Sequence, residues 1–242
     1  MKVIIGKDYA EISKLAAEKM IGEWDSYNIL GFATGSTPEG LYQELIQANK
    51  DGKISFKDKT TVNLDEYIGL PENHKESYRF FMNTKLFDHV DVDKKNTNVP
   101  HAKDEFDVAA CKNYDELVNK LGGADIQILG IGENGHIAFN EPNEELSANT
   151  NIVKLTDSTI KANSRFFNNE DEVPRYAITM GMGTILKAKE IILLASGVKK
   201  ADAIKKLVED DKVTTKNPST FLKLHPNVTI YITQDIADAI NL

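Results

Sequence analysis

The stretch Ile126-Gln127-Ile128-Leu129-Gly130-Ile131-Gly132-Glu133-Asn134-Gly135-His136-Ile137-Ala138-Phe139-Asn140-Glu141-Pro142 decides how the rest of the chain is read. Its first residues are an apolar run of strand length that opens directly into glycines and polar side chains. A literal G-x-G-x-x-G spans Gly130 to Gly135, and Asp157 lies roughly 20 residues on, as in a dinucleotide-binding fingerprint. That fingerprint needs a long helix directly after its glycines, and here Pro142 and two asparagines interrupt the next positions. The segment therefore reads as a loop after a strand, presenting His136. With Asn134 and Glu141 nearby in sequence to set its tautomer and basicity, His136 is a candidate proton shuttle. The alternative is a solvated loop histidine.

Outward from this strand, further apolar runs at Lys2–Ile5, Ile29–Ala33, Thr61–Leu64, Ile191–Ala195 and Thr229–Ile232 join Ile126–Gly130 as predicted strands. Helical periodicity fills the intervals, for example over Tyr9–Trp24 and Lys199–Val208. This order predicts a doubly wound α/β fold with a single, largely parallel sheet and helices on both faces. No linker, repeat or low-complexity tract divides the chain, so residues 1–242 read as a single domain. In such sheets ligands bind beyond the carboxyl ends of the strands.

Two more segments occupy such positions. Gly31-Phe32-Ala33-Thr34-Gly35-Ser36-Thr37-Pro38 follows a strand and precedes the helical pattern Glu39–Ala48. Small residues with free amides at a helix start form an anion cradle; the alternative is a plain strand-to-helix turn with a hydroxyl cap. The Gly-Lys-Ser/Thr ending of a nucleotide P-loop is missing. Asn63-Leu64-Asp65-Glu66-Tyr67-Ile68-Gly69-Leu70-Pro71 sets adjacent carboxylates at a strand end. Strand alternation aims Asp65 and Glu66 in opposite directions, and Asp65 is the better candidate for a desolvated general base. Acidic helix caps are the competing reading.

Composition narrows the partners. The 242 residues carry 41% hydrophobic and 27% charged residues with a formal net charge of −8, which suits a globular protein and disfavours a nucleic-acid backbone as partner. Apolar stretches such as Ile191–Ala195 are far short of the ~20 residues of a membrane span, so no membrane partner is expected. Met1–Ile5 is too short for a signal-peptide core, which predicts a cytoplasmic protein. The five histidines show no H-x-x-H or H-E-x-x-H pattern, and the lone Cys111 has no metal or redox spacing and reads as a helix residue. Neither a metal nor a cofactor is expected.

Together these segments, with Ala162-Asn163-Ser164-Arg165-Phe166-Phe167, resemble the glucosamine-6-phosphate deaminase family, also called glucosamine-6-phosphate isomerases, from about Leu30 to Pro226. The string Gly135–Pro142 is the most specific part; the Gly35 loop is shared among related sugar-phosphate enzymes. The resemblance implies conversion of D-glucosamine 6-phosphate and water to D-fructose 6-phosphate and ammonia, in amino-sugar catabolism. It implies Asp65 as base between C2 and C1, His136 as the ring-opening shuttle, Glu141 as its orienting partner and Asn134 where some members have Asp. Phosphate would fall to Gly35, Ser36, Thr37, Arg165 and Lys200, with Lys199 the nearest rival of Lys200. A phosphosugar lactonase and a non-catalytic sugar-phosphate sensor are the alternatives, the latter disfavoured by the lack of a basic DNA-binding segment. Thr159–Pro174, with Arg165 and with Phe166 and Phe167 read as exposed aromatics, is either a lid over bound phosphate or an amphipathic helix followed by a loop.

The allosteric hexamers of that family hold an activator phosphate with an Arg and a Lys whose matching positions here are Asn151 and Val153. Without those cations an interfacial dianion loses its charge-assisted hydrogen bonds, which favours a monomer or small homo-oligomer. A titration with glucosamine 6-phosphate should therefore be hyperbolic and unchanged by N-acetylglucosamine 6-phosphate. Sigmoidal kinetics made hyperbolic by that compound would count against this reading.

Overall fold

The structure, a computed structural model, describes residues 1–242 apart from Arg165, Phe166, Asn168 and Asp210. Its strands are β1 (Lys2–Gly6), β2 (Ile29–Phe32), β3 (Thr60–Asn63), β4 (Asp65–Tyr67), β5 (Thr97–Asn98), β6 (Ile126–Leu129), β7 (Asn151–Lys154), β8 (Tyr176–Thr179), β9 (Glu190–Ala195) and β10 (Val228–Thr233). Between them run α1 (Tyr9–Gly22), α2 (Glu39–Lys50), α3 (Tyr78–Lys85), α4 (Val108–Leu121), α5 (Asp157–Asn163), α6 (Met182–Ile185), α7 (Ala201–Val208) and α8 (Gln234–Ile240). All six expected strands are present. The first helix stops at Gly22 rather than Trp24. Trp24 instead sits in a short 3-10 turn, where its indole donates to the Ser55 carbonyl at 2.9 Å and its ring meets Phe56 edge-on.

Seven strands form one parallel sheet in the order β1-β10-β9-β6-β2-β3-β5. Its central strands are apolar on both faces, as a sheet covered by helices on each side requires. Along β9, Ile191, Leu193 and Ala195 pack with α4, α7 and α8, while Ile192 and Leu194 pack with α1, α2 and α3. Each fully buried Ile or Leu contributes about 1.5–3 kcal/mol, so both layers are strongly held. With apolar residues on both faces, the pattern alone does not specify register. A polar clamp ties the strand starts together. The Asp125 carboxylate accepts the Asn28 and Ile29 N–H groups at 2.6 and 2.8 Å and the Lys189 ammonium at 2.6 Å, joining the starts of β2, β6 and β9. Burial pushes Asp125 up, but these donors outweigh it and hold the carboxyl below its ordinary value.

The chain moves outward from β2 through β3 to β5, then returns to the other side of β2 as β6 and continues to β9 and β10. The reversal lies between β2 and β6, and the crevice beyond the carboxyl ends of those strands is where such sheets bind ligands.

Beside the expected sheet stands a small antiparallel one, β4-β8-β7. The predicted strand Thr61–Leu64 ends at Asn63, and the chain swings at Leu64, whose carbonyl accepts the Met180 N–H at 2.8 Å, into β4. Glu66 on β4 pins α3. Its carboxylate accepts the backbone N–H groups of Tyr78 and Arg79 at the first turn of that helix and that of Tyr67 on β4, each at 2.8 Å. Ser77 adds the side-chain cap, accepting from the Phe80 N–H. In Glu66→Gln one acceptor oxygen becomes an N–H donor facing other N–H groups, which should cost about 2 kcal/mol. Denaturant unfolding measures this, and unchanged stability would show that the carboxylate does not anchor α3.

Candidate functional site

Loops following β2, β3, β6 and β9 meet at the switch point around a cleft of about 1120 Å³ and an adjoining cavity of about 270 Å³. Gly35, Thr37, Tyr78, Gly132, His136 and Glu141 line both.

The loop after β6 is folded by its own backbone. The Gly132 N–H donates to the His136 carbonyl and the Gly135 N–H to the Gly132 carbonyl, both at 3.0 Å. The Ser219 N–H reaches in to the Gly135 carbonyl at 2.8 Å, and the Asn140 amide donates to the Ile137 and Met180 carbonyls. Gly132 is required by close approach: a Cβ there would lie 2.4 Å from the imidazole of His136.

This loop brings His136, Glu141 and Asn134 together, as the sequence suggested. His136 Nδ1 lies 3.1 Å from Glu141 Oε1, at ion-pair distance but off the line of a well-aligned hydrogen bond. Asn134 donates its amide to Glu141 Oε2 at 2.7 Å and accepts the His136 backbone N–H at 3.1 Å. Thr159, from α5, reaches Glu141 Oε1 at 3.2 Å. Burial alone would raise the Glu141 carboxyl; the His136 contact and charge, with Asn134 and Thr159, bring it below the ordinary value instead. An ionised Glu141 can hold the imidazole in one tautomer and stabilise the imidazolium when it forms.

Asp65 opens β4 and faces the smaller cavity, while its neighbour Glu66 points to α3. The alternation argument therefore separates the two as expected. Asp65 is 6% exposed and takes no hydrogen bond from the described residues. Burial, followed by the charge of Glu66, pushes its carboxyl up to about 8. A carboxylate so poised suits general-base work near neutral pH.

Above α2, Gly35 takes φ +86°, a left-handed conformation that favours glycine. Tyr9 fastens the turn by donating to the Ser36 carbonyl at 2.8 Å and accepting the Gly40 N–H at 2.7 Å. Among the described residues, no protein acceptor takes the N–H of Gly35, Ser36 or Thr37. Pro38 sits at the cap of α2 rather than inside its first turn. Lys200, at the start of α7, lines the cleft, and its burial lowers the ammonium's pKa despite Glu133 nearby. Lys199 pairs with Glu133 at 3.9 Å and is mostly exposed, and unlike Lys200 it does not line the cleft. Arg165 lies outside the described residues.

Phe167, expected to be exposed, is partly buried; its ring meets Tyr67 edge-on at 6.4 Å and stacks with His74 at 6.1 Å. The intervening segment of the predicted lid includes Arg165, Phe166 and Asn168, which lie outside the described residues. Sequence reasoning missed Thr159 and the aromatic wall of Tyr67, Tyr78 and Phe139, in which Tyr78 and Phe139 lie parallel at 6.1 Å. Cys111 falls in α4, buried, as predicted. Among the described residues no helix is long and apolar enough to cross a membrane, and no group of three or more His, Cys, Asp or Glu is arranged to hold a metal.

Residues 7–231 match the family model described as glucosamine-6-phosphate isomerases/6-phosphogluconolactonase. A glucosamine-6-phosphate deaminase of Clostridium beijerinckii is 52% identical over 99% of this chain and 100% of its own length. One of Thermoanaerobacter pseudethanolicus is 51% identical over 99% of this chain and 95% of its own. A solved monomeric glucosamine-6-phosphate deaminase superposes with a TM-score of 0.93 at 42% identity, covering 99% of this chain and 100% of that one. A 6-phosphogluconolactonase of Trypanosoma cruzi, with a TM-score of 0.75 at 19% identity, shares the fold over 100% of this chain and 97% of its own. The chain belongs to the family of glucosamine-6-phosphate isomerases and 6-phosphogluconolactonases.

Proposed function

We propose that the chain is a glucosamine-6-phosphate deaminase, with residues 1–242 acting as one catalytic domain that converts D-glucosamine 6-phosphate and water to D-fructose 6-phosphate and ammonia. The observation that carries this reading within the family is Asp65, a buried carboxylate without donors among the described residues, facing the same cavity as the His136–Glu141 pair. A lactonase needs no base for a carbon-bound proton, so the placement of Asp65 favours the deaminase.

The chemistry proceeds in balanced steps. His136 takes the O1 proton of the cyclic hemiacetal and the ring oxygen is protonated as the C1–O5 bond breaks; Glu141 stabilises the imidazolium meanwhile. Asp65 then removes the C2 proton, and the electron pair forms an enolamine whose O1 oxygen gains a proton. Return of a proton to C1 gives the C2 imine. Water adds at C2, ammonia leaves, and fructose 6-phosphate remains. One carboxylate serving C2 and C1 on one face follows the logic of aldose–ketose isomerases.

The phosphate is assigned to the amides of Gly35, Ser36 and Thr37 and the hydroxyls of the latter two, with charge from Lys200 and from Arg165. Asn134 provides a neutral hydrogen bond to Glu141 where an Asp would add negative charge. The finer assignments extend to context: a cytoplasmic enzyme, a monomer or small homo-oligomer, like the monomeric relative of 42% identity.

Ammonia release from glucosamine 6-phosphate by the purified protein tests the activity; hydrolysis of 6-phosphogluconolactone without ammonia release would overturn it. Asp65→Asn should then lose at least ~100-fold in kcat, the lower end for a positioned general base. His136→Gln should slow the cyclic substrate far more than an open-chain analogue. Near-normal turnover of the first variant, or equal slowing of both substrates by the second, would remove that residue from its role.

A further inference from the structure

Among the described residues three make polar contacts with Glu141, and one of them comes from outside its loop. His136 and Asn134 belong to the Gly130–Pro142 segment, whereas Thr159 lies in the first turn of α5, 18 residues further along the chain. Glu141 accepts in its ionised form, so the Thr159 hydroxyl must donate to it. The oxygen of Thr159 in turn accepts the hydroxyl proton of Thr156 at 2.9 Å. Thr156 is the helix cap, and its own oxygen accepts the Thr159 N–H at 3.2 Å. The result is a directed chain, Thr156 to Thr159 to Glu141, ending on the same Oε1 that faces His136 Nδ1.

The helix that supplies this hydroxyl is itself held firmly. Ile160, 3% exposed, and Leu155, 4% exposed, pack into the cluster of Tyr67, Phe139, Val173 and Ala177 between α5 and the small sheet. The helix therefore has a fixed seat on the sheet that carries Asp65, and Thr159 makes a polar contact from it across to the histidine pair.

We propose that Thr159 is a positioning residue for the His136–Glu141 pair: its hydroxyl fixes the Glu141 carboxylate toward the imidazole and ties that geometry to the first turn of α5. The proposal rests on the deaminase reading above for its kinetic consequence and on the hydrogen bonds alone for its structural one. The charged groups that share the two cavities with Glu141 are His136, Asp65, Glu39, Lys75, Glu76, Glu133 and Lys200. Of these described groups, His136 is the one that acts on the Glu141 carboxyl directly, alongside the neutral donors Asn134 and Thr159. Removing Thr159's hydroxyl takes away a donor to the ionised form, so the carboxyl must titrate at higher pH.

The test compares Thr159→Val, which keeps the shape without the hydroxyl, with Thr159→Ser, which keeps the hydroxyl, and Thr159→Ala as a second hydroxyl-free variant. Carbon-13 NMR titration of the Glu141 carboxyl in the ligand-free protein should move up by about one pH unit in Val or Ala and stay in place in Ser. At neutral pH kcat should fall about tenfold in Val or Ala, the size expected for one hydrogen bond to a charged group, with KM changed less than about twofold. The acid limb of the kcat profile should move up in parallel, and Ser should restore both. An unmoved Glu141 titration in the hydroxyl-free variants would overturn the proposal, as would equal impairment of Ser and Ala, or a rise in KM at constant kcat. Failure of the wild-type protein to release ammonia would refute the deaminase reading instead, and the NMR arm would still decide the role of Thr159.

Discussion

Two adjacent carboxylates with opposite fates organise this molecule. Glu66 spends its negative charge on the Tyr78 and Arg79 N–H groups at the start of α3 and on the Tyr67 N–H of its own strand, and these bonds fix the helix against β4. Asp65, one residue earlier, points to the other side of the strand and receives no hydrogen bond from the described residues. The same strand that gains an anchor thus exposes its neighbour to a cavity where burial and the adjacent charge disfavour ionisation. The anchoring of α3 and the raised carboxyl of Asp65 come from a single alternation of the backbone.

The parallel sheet places the remaining chemistry around that pair. Because the strand order reverses between β2 and β6, the cradle at Gly35–Thr37 and the His136 loop emerge side by side, with Asp65 beyond β3 on one flank and Lys200 beyond β9 on the other. The Asp125 clamp at the opposite ends of β2, β6 and β9 ties the starts of the strands whose far ends carry three of these four segments. Its contribution is present above the ordinary carboxyl range and is lost as pH falls through the depressed folded value, so acid loosens the strand starts.

Much of this was legible in the sequence. The long β9 and β10 runs and the glycine-rich end of β6 are dense local signals, and strand alternation was enough to send Asp65 and Glu66 in opposite directions, so that only one of them faces the cavity. The small sheet was not legible, because β4 follows β3 after a single residue and reads as its continuation, while β7 and β8 have only four residues each and are partly polar. Thr159 was invisible as a partner of Glu141 for a different reason: the contact depends on how α5 seats on that unrecognised sheet, and nothing local to Thr159 marks it. Phe167 was misread as exposed because its burial comes from Tyr67 and His74, both distant in sequence. Local chemistry was readable where the backbone alone aims a side chain, and unreadable where tertiary packing does.

The central claim is that the fold leaves Asp65 buried, without a donor among the described residues, beside the charge of Glu66. Carbon-13 NMR titration of the Asp65 carboxyl in the ligand-free protein, with the resonance assigned by its loss in Asp65→Asn, tests that claim most directly. The account places the midpoint near pH 8. A midpoint near the ordinary aspartate value of about 4 would contradict it.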